Sequence, residues 1–507
     1  MLLAVVMLLS LTACGSGNGG KSTTANANGG NVADSGSKDG DVKDGASASD
    51  LPPYTIQWAY IGDSYDDLPA VQEEINKILQ PQFNCTVNII PMSWGEFSNQ
   101  LTLMLSGGEQ LDLVPVLTGS GPTYINNGYV IDLKDLIAEY GKNIKEQIGE
   151  ENMYVCTVNG YTYGVPTYKE YCSNAGVMMR KDLLEEAGYT IDDIKSLDDL
   201  DAVYAAVLEK HPDMVMLAGR QGGTPGQDLN WWDLLGDGFG VIDPSDTVGT
   251  VVNYYESDYF KNVCKKMYEF ANKGYISKDC ATMSETRQSQ VKAGTAFSYF
   301  TALKPNTESQ DTLDTGYEMV SAYLTDEYRS TSQMTFLGWG IGRSCQYPDR
   351  VMQVLDYMYG SPEIMNLFNW GIEGVHYQVI DAEKGIIDYP EGVTSETKKY
   401  GLNIGYEIMN QKIAYIFNGT DPEIWNQYKE YNAADGIVST GFIYDNSKVL
   451  TQIAALTNVQ NQYMDGLGSG ALDPDQYIDE FNAALKKAGL QDVMDEKQRQ
   501  LDAFLGK

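Results

Sequence analysis

Between Tyr54 and Leu117 the chain alternates between a two-residue and a 3.6-residue hydrophobic period, and this most restricts its fold. Tyr54-Thr55-Ile56-Gln57-Trp58-Ala59-Tyr60 reads as a strand with Tyr54, Ile56, Trp58 and Tyr60 on one face. Leu68, Val71, Ile75, Ile78 and Leu79 recur at helical spacing, and Pro81 is expected to stop that helix. A second strand over 85–90, a helix over 96–105 and a third strand over 111–117 complete a β-α-β-α-β opening. Strands joined through helices run parallel, with helices on both faces of the sheet. Ligands of such sheets sit outside the strands' carboxyl ends. Residues 60–65, 93–94 and 118–123 should therefore converge on one crevice.

The later chain keeps this style. Leu200, Val203, Val207 and Leu208 line a helix ended by His211-Pro212, and Phe260, Val263, Met267 and Phe270 line another closed by Gly274. Val351, Val354, Leu355 and Met358 predict a third, closed by Gly360. Asp473-Pro474 places an N-cap and a first-turn proline before Tyr477, Phe481, Leu485 and Ala488, and Gly489 ends that face.

The start of the chain carries an address. Residues 1–13 are apolar except for Ser10 and Thr12, about the length of a signal-peptide core and shorter than the roughly 18 residues a membrane span needs. Leu11-Thr12-Ala13-Cys14 resembles a bacterial lipobox, in which Cys14 would be lipidated and become the first mature residue. No basic residue precedes the run, which we read as a start codon placed too late. Residues 15–50 consist almost wholly of Gly, Ser, Ala, Asn, Asp, Thr and Lys, and are expected to be a disordered tether. As a flexible coil it would span about 30–36 Å.

Charge removes one class of partner. The 507 residues hold 70 acidic against 35 basic side chains, a net charge of −35, which repels nucleic acid and anionic lipid. The 35 Tyr and 7 Trp, against 13 Phe, suit polar ligands, because each offers a flat apolar face with a polar edge. After Cys14 the cysteines (Cys85, Cys156, Cys172, Cys264, Cys280, Cys345) are scattered singly, so zinc or cluster ligation is poorly supported and mostly free, buried thiols are expected. No metal or cofactor is expected.

Several landmarks now match a family. Residues 105–113 (LSGGEQLDL) resemble the "L-x-G-G-x-x-x-D-(L/V)" entry to the third strand of family 1 extracellular solute-binding proteins. Tyr163-Gly164-Val165-Pro166 followed by residues 176–188 (GVMMRKDLLEEAG) resembles their crossover, with Met179 where the family usually has Tyr. Ser196-Leu197-Asp198-Asp199-Leu200 stands where "T-W-D-E-L" is usual. Residues 369–377 (NWGIEGVHY) and the tail over 441–504 resemble the lipoprotein-O-like members with an extended C-terminal region. The likeness runs from about Tyr54 to the end.

The resemblance implies an α/β fold: a two-lobed, periplasmic-binding-protein-like (type II) clamshell joined by crossover hinge segments, closing by hinge motion. Lobe I is expected over 51–172 plus about 335–378, and lobe II over 173–334 plus about 379–507. It implies a monomeric binding protein on the extracellular face of the bacterial membrane, held there by its lipid alone. Such a protein would deliver a small polar ligand, foremost an oligosaccharide, to the permease subunits and cytoplasmic ATPase of an ABC importer.

A sugar site should pair flat aromatics with planar polar groups. Trp231 and Trp232, flanked by amides and acids after the glycine-rich stretch 219–226, suggest a cleft rim, the alternative for either being core packing. Trp58 and Tyr60 end the first strand; Trp94 follows the second; Ser120 lies in the turn after the third. Tyr168 and Asn174 flank the crossover, and Arg220 could clamp an acidic sugar. Phe300 follows a segment resembling the family's "G-x-A-A-M" strand, Trp339 between two glycines marks the return crossover, and Trp370 and Glu373 belong to the tail signature.

Two other readings stay open. A peptide-binding member of the same fold would use a similar cleft. An extracellular glycoside hydrolase needs two paired carboxylates, which 70 acidic residues cannot exclude by counting. No HExxH or GxSxG motif occurs, and with only His211 and His376 available a non-enzymatic binding protein is expected.

Overall fold

The computed structural model describes residues 52–220 and 222–507; Cys14 and the expected 15–50 tether lie outside the described residues. The alternating pattern becomes β1 (Tyr54–Ile61), a helix Leu68–Phe83, β2 (Cys85–Met92), a helix Phe97–Gly107 and β3 (Leu113–Leu117). Strand β1 pairs in parallel with both β2 and β3. Pro81 does not end the first helix. It lies within the last turn, and the helix runs two residues beyond it before stopping at Asn84, whose backbone is left-handed (φ 48°).

A hairpin of β4 (Thr157–Val158) and β5 (Tyr161–Thr162) precedes β6 (Val165–Pro166), and the chain then crosses through β7 (Cys172–Ser173) into β8 (Gly176–Arg180). With β9 (Val215–Leu217), β10 (Ala296–Thr301) and β11 (Met319–Tyr323), β8 forms a second sheet in the order β11-β8-β10-β9. The chain returns through β12 (Tyr328–Arg329), antiparallel to β7, into β13 (Leu337–Ile341). Strand β13 lies antiparallel between β3 and β6, giving the first sheet the order β2-β1-β3-β13-β6. Its glycines have a packing reason: a Cβ on Gly340 would lie 2.8 Å from the Tyr163 carbonyl oxygen, and one on Gly338 2.9 Å from Cys156 Sγ. A small third sheet joins β14 (Gln378–Asp381), β15 (Ile386–Asp388) and β16 (Ile416–Phe417).

Each large sheet carries its own apolar core. The first includes Ile56, Trp58, Leu113, Val116, Trp339 and Phe368, and it takes in Tyr400, Ile408 and Met409 as well. Residues 400–414 thus share the first sheet's core and cover its end. The second core includes Val177, Met179, Tyr204, Phe270 and Phe297. The last three helices, Leu450–Gly468, Pro474–Lys487 and Leu490–Phe504, pack with Phe239, Tyr254 and Phe260 in a further core beside the second sheet. Buried Lys497 pins the final helix there by donating to the Gly240 carbonyl at 2.8 Å and pairing with Asp237. The six described cysteines are all free thiols, five of them buried.

Candidate ligand-binding crevice

Topology places two sheet edges against one another. The carboxyl ends of β1, β2 and β3 set residues 62–65, 93–94 and 118–120 along one edge of the first sheet. The carboxyl ends of β9 and β10 set Arg220 and residues 301–304 along one edge of the second. Because β13 runs antiparallel to β3, and β8 and β10 are antiparallel, both crossovers spring from these same edges. The β7–β12 ribbon and the turn Thr331–Met334 therefore form the floor of a crevice between them. A pocket of about 30 Å³ at this point is lined by Thr118 and Gly119 on one side, Asp233 and Leu235 on the other, and Thr331 and Thr335 below.

On the first edge Trp94 is 49% exposed. Its indole Nε1 donates to the Tyr406 hydroxyl at 3.3 Å, and its ring meets Phe97 edge-on at 6.0 Å. Tyr406 in turn packs against Phe336 at 5.8 Å. An exposed indole held in place at its edge is a flat surface on which the C–H face of a sugar can stack.

On the second edge one carboxylate holds two guanidinium groups. Arg220 Nε donates to Asp228 Oδ1 at 2.7 Å, and Arg287 Nη1 donates to Asp228 Oδ2 at 2.9 Å and to the Phe300 carbonyl. At the crossings, buried Lys169 donates to Gln333 Oε1 at 3.1 Å and lies 3.3 Å from Glu170, which also meets Lys304 at 3.2 Å. Burial works against the Glu170 carboxylate, but Lys169 and Lys304 outweigh it and hold the group down at about 2. Burial pushes the Lys169 ammonium below its ordinary range, while Glu170 beside Lys304 overcomes burial and raises that ammonium.

The model for bacterial extracellular solute-binding proteins matches residues 62–363. The chain belongs to this family. A second model, a domain of unknown function (DUF3502), matches residues 438–506, the region of the last three helices. This solute-binding protein is 28% identical over 477 residues, 93% of this chain and 94% of the relative, to a carbohydrate ABC transporter substrate-binding protein of Streptococcus pneumoniae serotype 4. Among solved structures it resembles the N-glycan transport solute binding protein of Streptococcus pneumoniae, with TM-score 0.79 and 25% identity over 90% of this chain and 100% of that one. Complexes of that protein with Man1GlcNAc and Man5GlcNAc give TM-scores of 0.73 and 0.70. The alginate-binding protein AlgQ2 shares the fold at TM-score 0.60 and 17% identity, over 89% of this chain and 98% of that one.

The structure sorts the residues singled out from the sequence of this solute-binding protein. Trp94, Ser120 and Arg220 lie on the crevice edges. Trp58, Tyr60, Phe300 and Trp339 do not: all four are fully buried. Trp58 packs on Phe368 at 4.2 Å and on Trp339 at 6.0 Å, and the Tyr60 hydroxyl donates to the Asp63 carbonyl at 2.6 Å. The end of β1 is roofed by the helix Pro362–Trp370 and by residues 400–409, so its aromatics are core. Trp339 Nε1 donates to the Glu407 carbonyl at 2.9 Å. Phe300 belongs to the second core.

Tyr168 and Asn174 are buried in the crossing. The Asn174 amide is consumed in joining β8 to β10, donating to the Leu303 carbonyl and accepting from the Leu303 N–H, each at 2.6 Å. Trp231 and Trp232 are half-buried and both pack on Tyr259, at 6.4 and 6.1 Å, at the seam between the second core and the C-terminal helices. Trp370 and Glu373 belong to the small third sheet region: Trp370 Nε1 donates to the Tyr415 carbonyl at 3.0 Å, and Glu373 is exposed.

Sequence reasoning did not find Tyr406, Arg287, Lys169, Glu170 or Lys304. The charged pair Lys169-Glu170, set within the aromatic crossing 161–171, was a usable signal. Tyr406 had none, since only the fold brings it to Trp94.

Proposed function

We propose that this chain is the solute-binding component of an ABC importer, capturing an oligosaccharide in the crevice and passing it unaltered to the permease subunits. The observation that carries this reading is the pair of facing carboxyl edges joined by the crossings, with the exposed Trp94–Tyr406 surface on one and the Arg220–Asp228–Arg287 cluster on the other. The relatives support it, being named for carbohydrate and N-glycan transport. The lower TM-scores against the two sugar complexes of one relative accord with a crevice that closes on its ligand. Cys14 carries the lipid that holds the protein at the extracellular face of the membrane.

Isothermal titration with Man1GlcNAc, Man5GlcNAc, other neutral oligosaccharides and short peptides, with chromatography of the recovered ligand, tests the reading. Saturable binding of a saccharide returned intact is expected. Binding of peptides alone, or release of cleaved sugar, would sink it. Incorporation of labelled fatty acid that is lost in Cys14→Ala tests the anchor separately.

A further inference from the structure

Between the helix Thr307–Thr315, which follows β10, and residues 389–428 lies a cavity of about 410 Å³. That volume falls within the roughly 300–1,000 Å³ of small-molecule sites. Trp370, Phe417, Trp425 and Tyr428 contribute aromatic groups to its wall, and the carboxamides of Asn306 and Gln411 stand among them.

Two of those amide atoms have no partner. Asn306 Oδ1, an acceptor, and Gln411 Nε2, a donor, are buried and unbonded. Leaving such a group unpaired is disfavoured, so two around one cavity call for an occupant that both donates and accepts. Asn306 carries a further strain. Its backbone is left-handed (φ 73°) at the N-cap of Thr307–Thr315, yet its side chain makes no capping bond. Gln411 is backed by Gly405, where any Cβ would collide with its Oε1. Burial also lifts the Asp314 carboxyl and depresses the Lys398 ammonium in the same wall, which marks a partly dehydrated space.

The cavity wall is in contact with residues that follow the strands of both crevice edges. Lys398 lies 5.5 Å from the ring centre of Tyr65, just past β1, and Tyr428 contacts Lys304, just past β10. Segments just past one strand of each large sheet thus touch its wall. A pyranose ring fits this chemistry: its hydroxyls donate and accept, and its C–H faces stack on aromatic rings.

We propose that this cavity is a saccharide subsite at one end of the crevice, which takes a terminal sugar of a longer oligosaccharide and so sets a preference for chain length. It rests on the reading that the crevice binds oligosaccharide. The test is titration of wild type, Trp425→Ala, Trp425→Phe and Gln411→Leu with Man1GlcNAc and Man5GlcNAc, and with disaccharides and hexasaccharides of the malto, cello and xylo series. Wild type should favour the longer member of the series it binds. Trp425→Ala and Gln411→Leu should lose about tenfold or more for that member and less than about twofold for the shorter, with Trp425→Phe recovering most of the loss. Gln411→Leu removes an unpaired buried donor, so it should unfold no earlier than wild type and carries the test if Trp425→Ala is unstable. Equal wild-type affinity for both lengths, equal losses for both, or no loss in either variant overturns the subsite alone. A wild type that binds no saccharide overturns the functional reading and the subsite together.

Discussion

The indole of Trp94 and the hydroxyl of Tyr406 meet at 3.3 Å across 312 positions of sequence. This contact holds an exposed tryptophan, just past the end of β2, at its indole edge. Tyr406 packs into the first core through Phe336, whereas Trp94 is among the largest exposed apolar side chains of the described residues.

Trp94→Ala should therefore separate binding from stability. Saccharide affinity is expected to fall about 10- to 100-fold for short and long ligands alike, with unfolding free energy within about 0.5 kcal/mol of wild type. Titration and urea unfolding check this; an unchanged affinity would remove Trp94 from the site.

Trp58→Ala should do the reverse. The side chain is fully buried between Phe368 and Trp339, so truncation leaves a cavity and is expected to destabilise by about 3–5 kcal/mol. The fraction that remains folded should bind saccharide with near wild-type affinity. A loss of affinity without loss of stability would return Trp58 to the ligand.

Glu407 predicts a pH slope. Its Oε1 accepts from the Ile61 N–H at 2.7 Å, its Oε2 is buried without a partner, and burial raises its carboxyl well above the usual range. The native state thus holds a proton that the unfolded state releases, and stability falls as pH rises above about 4.5. Glu407→Gln keeps the acceptor and removes the titration. Its stability relative to wild type should climb from pH 4.5 towards 8, and parallel curves in urea unfolding would refute the assignment.

Glu170 should behave in the opposite sense. Its carboxyl is held at about 2 between Lys169 and Lys304, so its contribution is present above about 4.5 and is lost as pH falls towards 2. Glu170→Gln leaves a buried lysine uncompensated and should cost about 3 kcal/mol at pH 7. The gap to wild type should narrow below pH 4.5; a gap independent of pH would show that the carboxylate is not the charged partner.

How far the sequence could be read differs between backbone and site. The strands and helices from Tyr54 to Leu117 follow from hydrophobic period, and Asp473 caps its helix as its type and the following proline suggest. Pro81 misled because a proline so near the helix end forfeits a single ladder bond, which the packing of Leu68, Val71, Ile75 and Leu79 outweighs. The aromatics were harder: Trp58 falls within β1 and Trp94 just past β2 of the same sheet, and nothing local told which would be covered.

Sequence by itself determined the order of strands and helices, the parallel course of β1, β2 and β3, and hence the edge on which a crevice must open. These depend on period and chain direction, which are local. Only the tertiary structure decided which residues line that crevice. Residues 361–370 and 400–409 fold back over the end of β1 and bury Trp58 and Tyr60, while the same return brings Tyr406 to Trp94 and leaves its indole exposed. Exposure depends on what distant chain packs above a side chain, and that is set by the closing of the whole core.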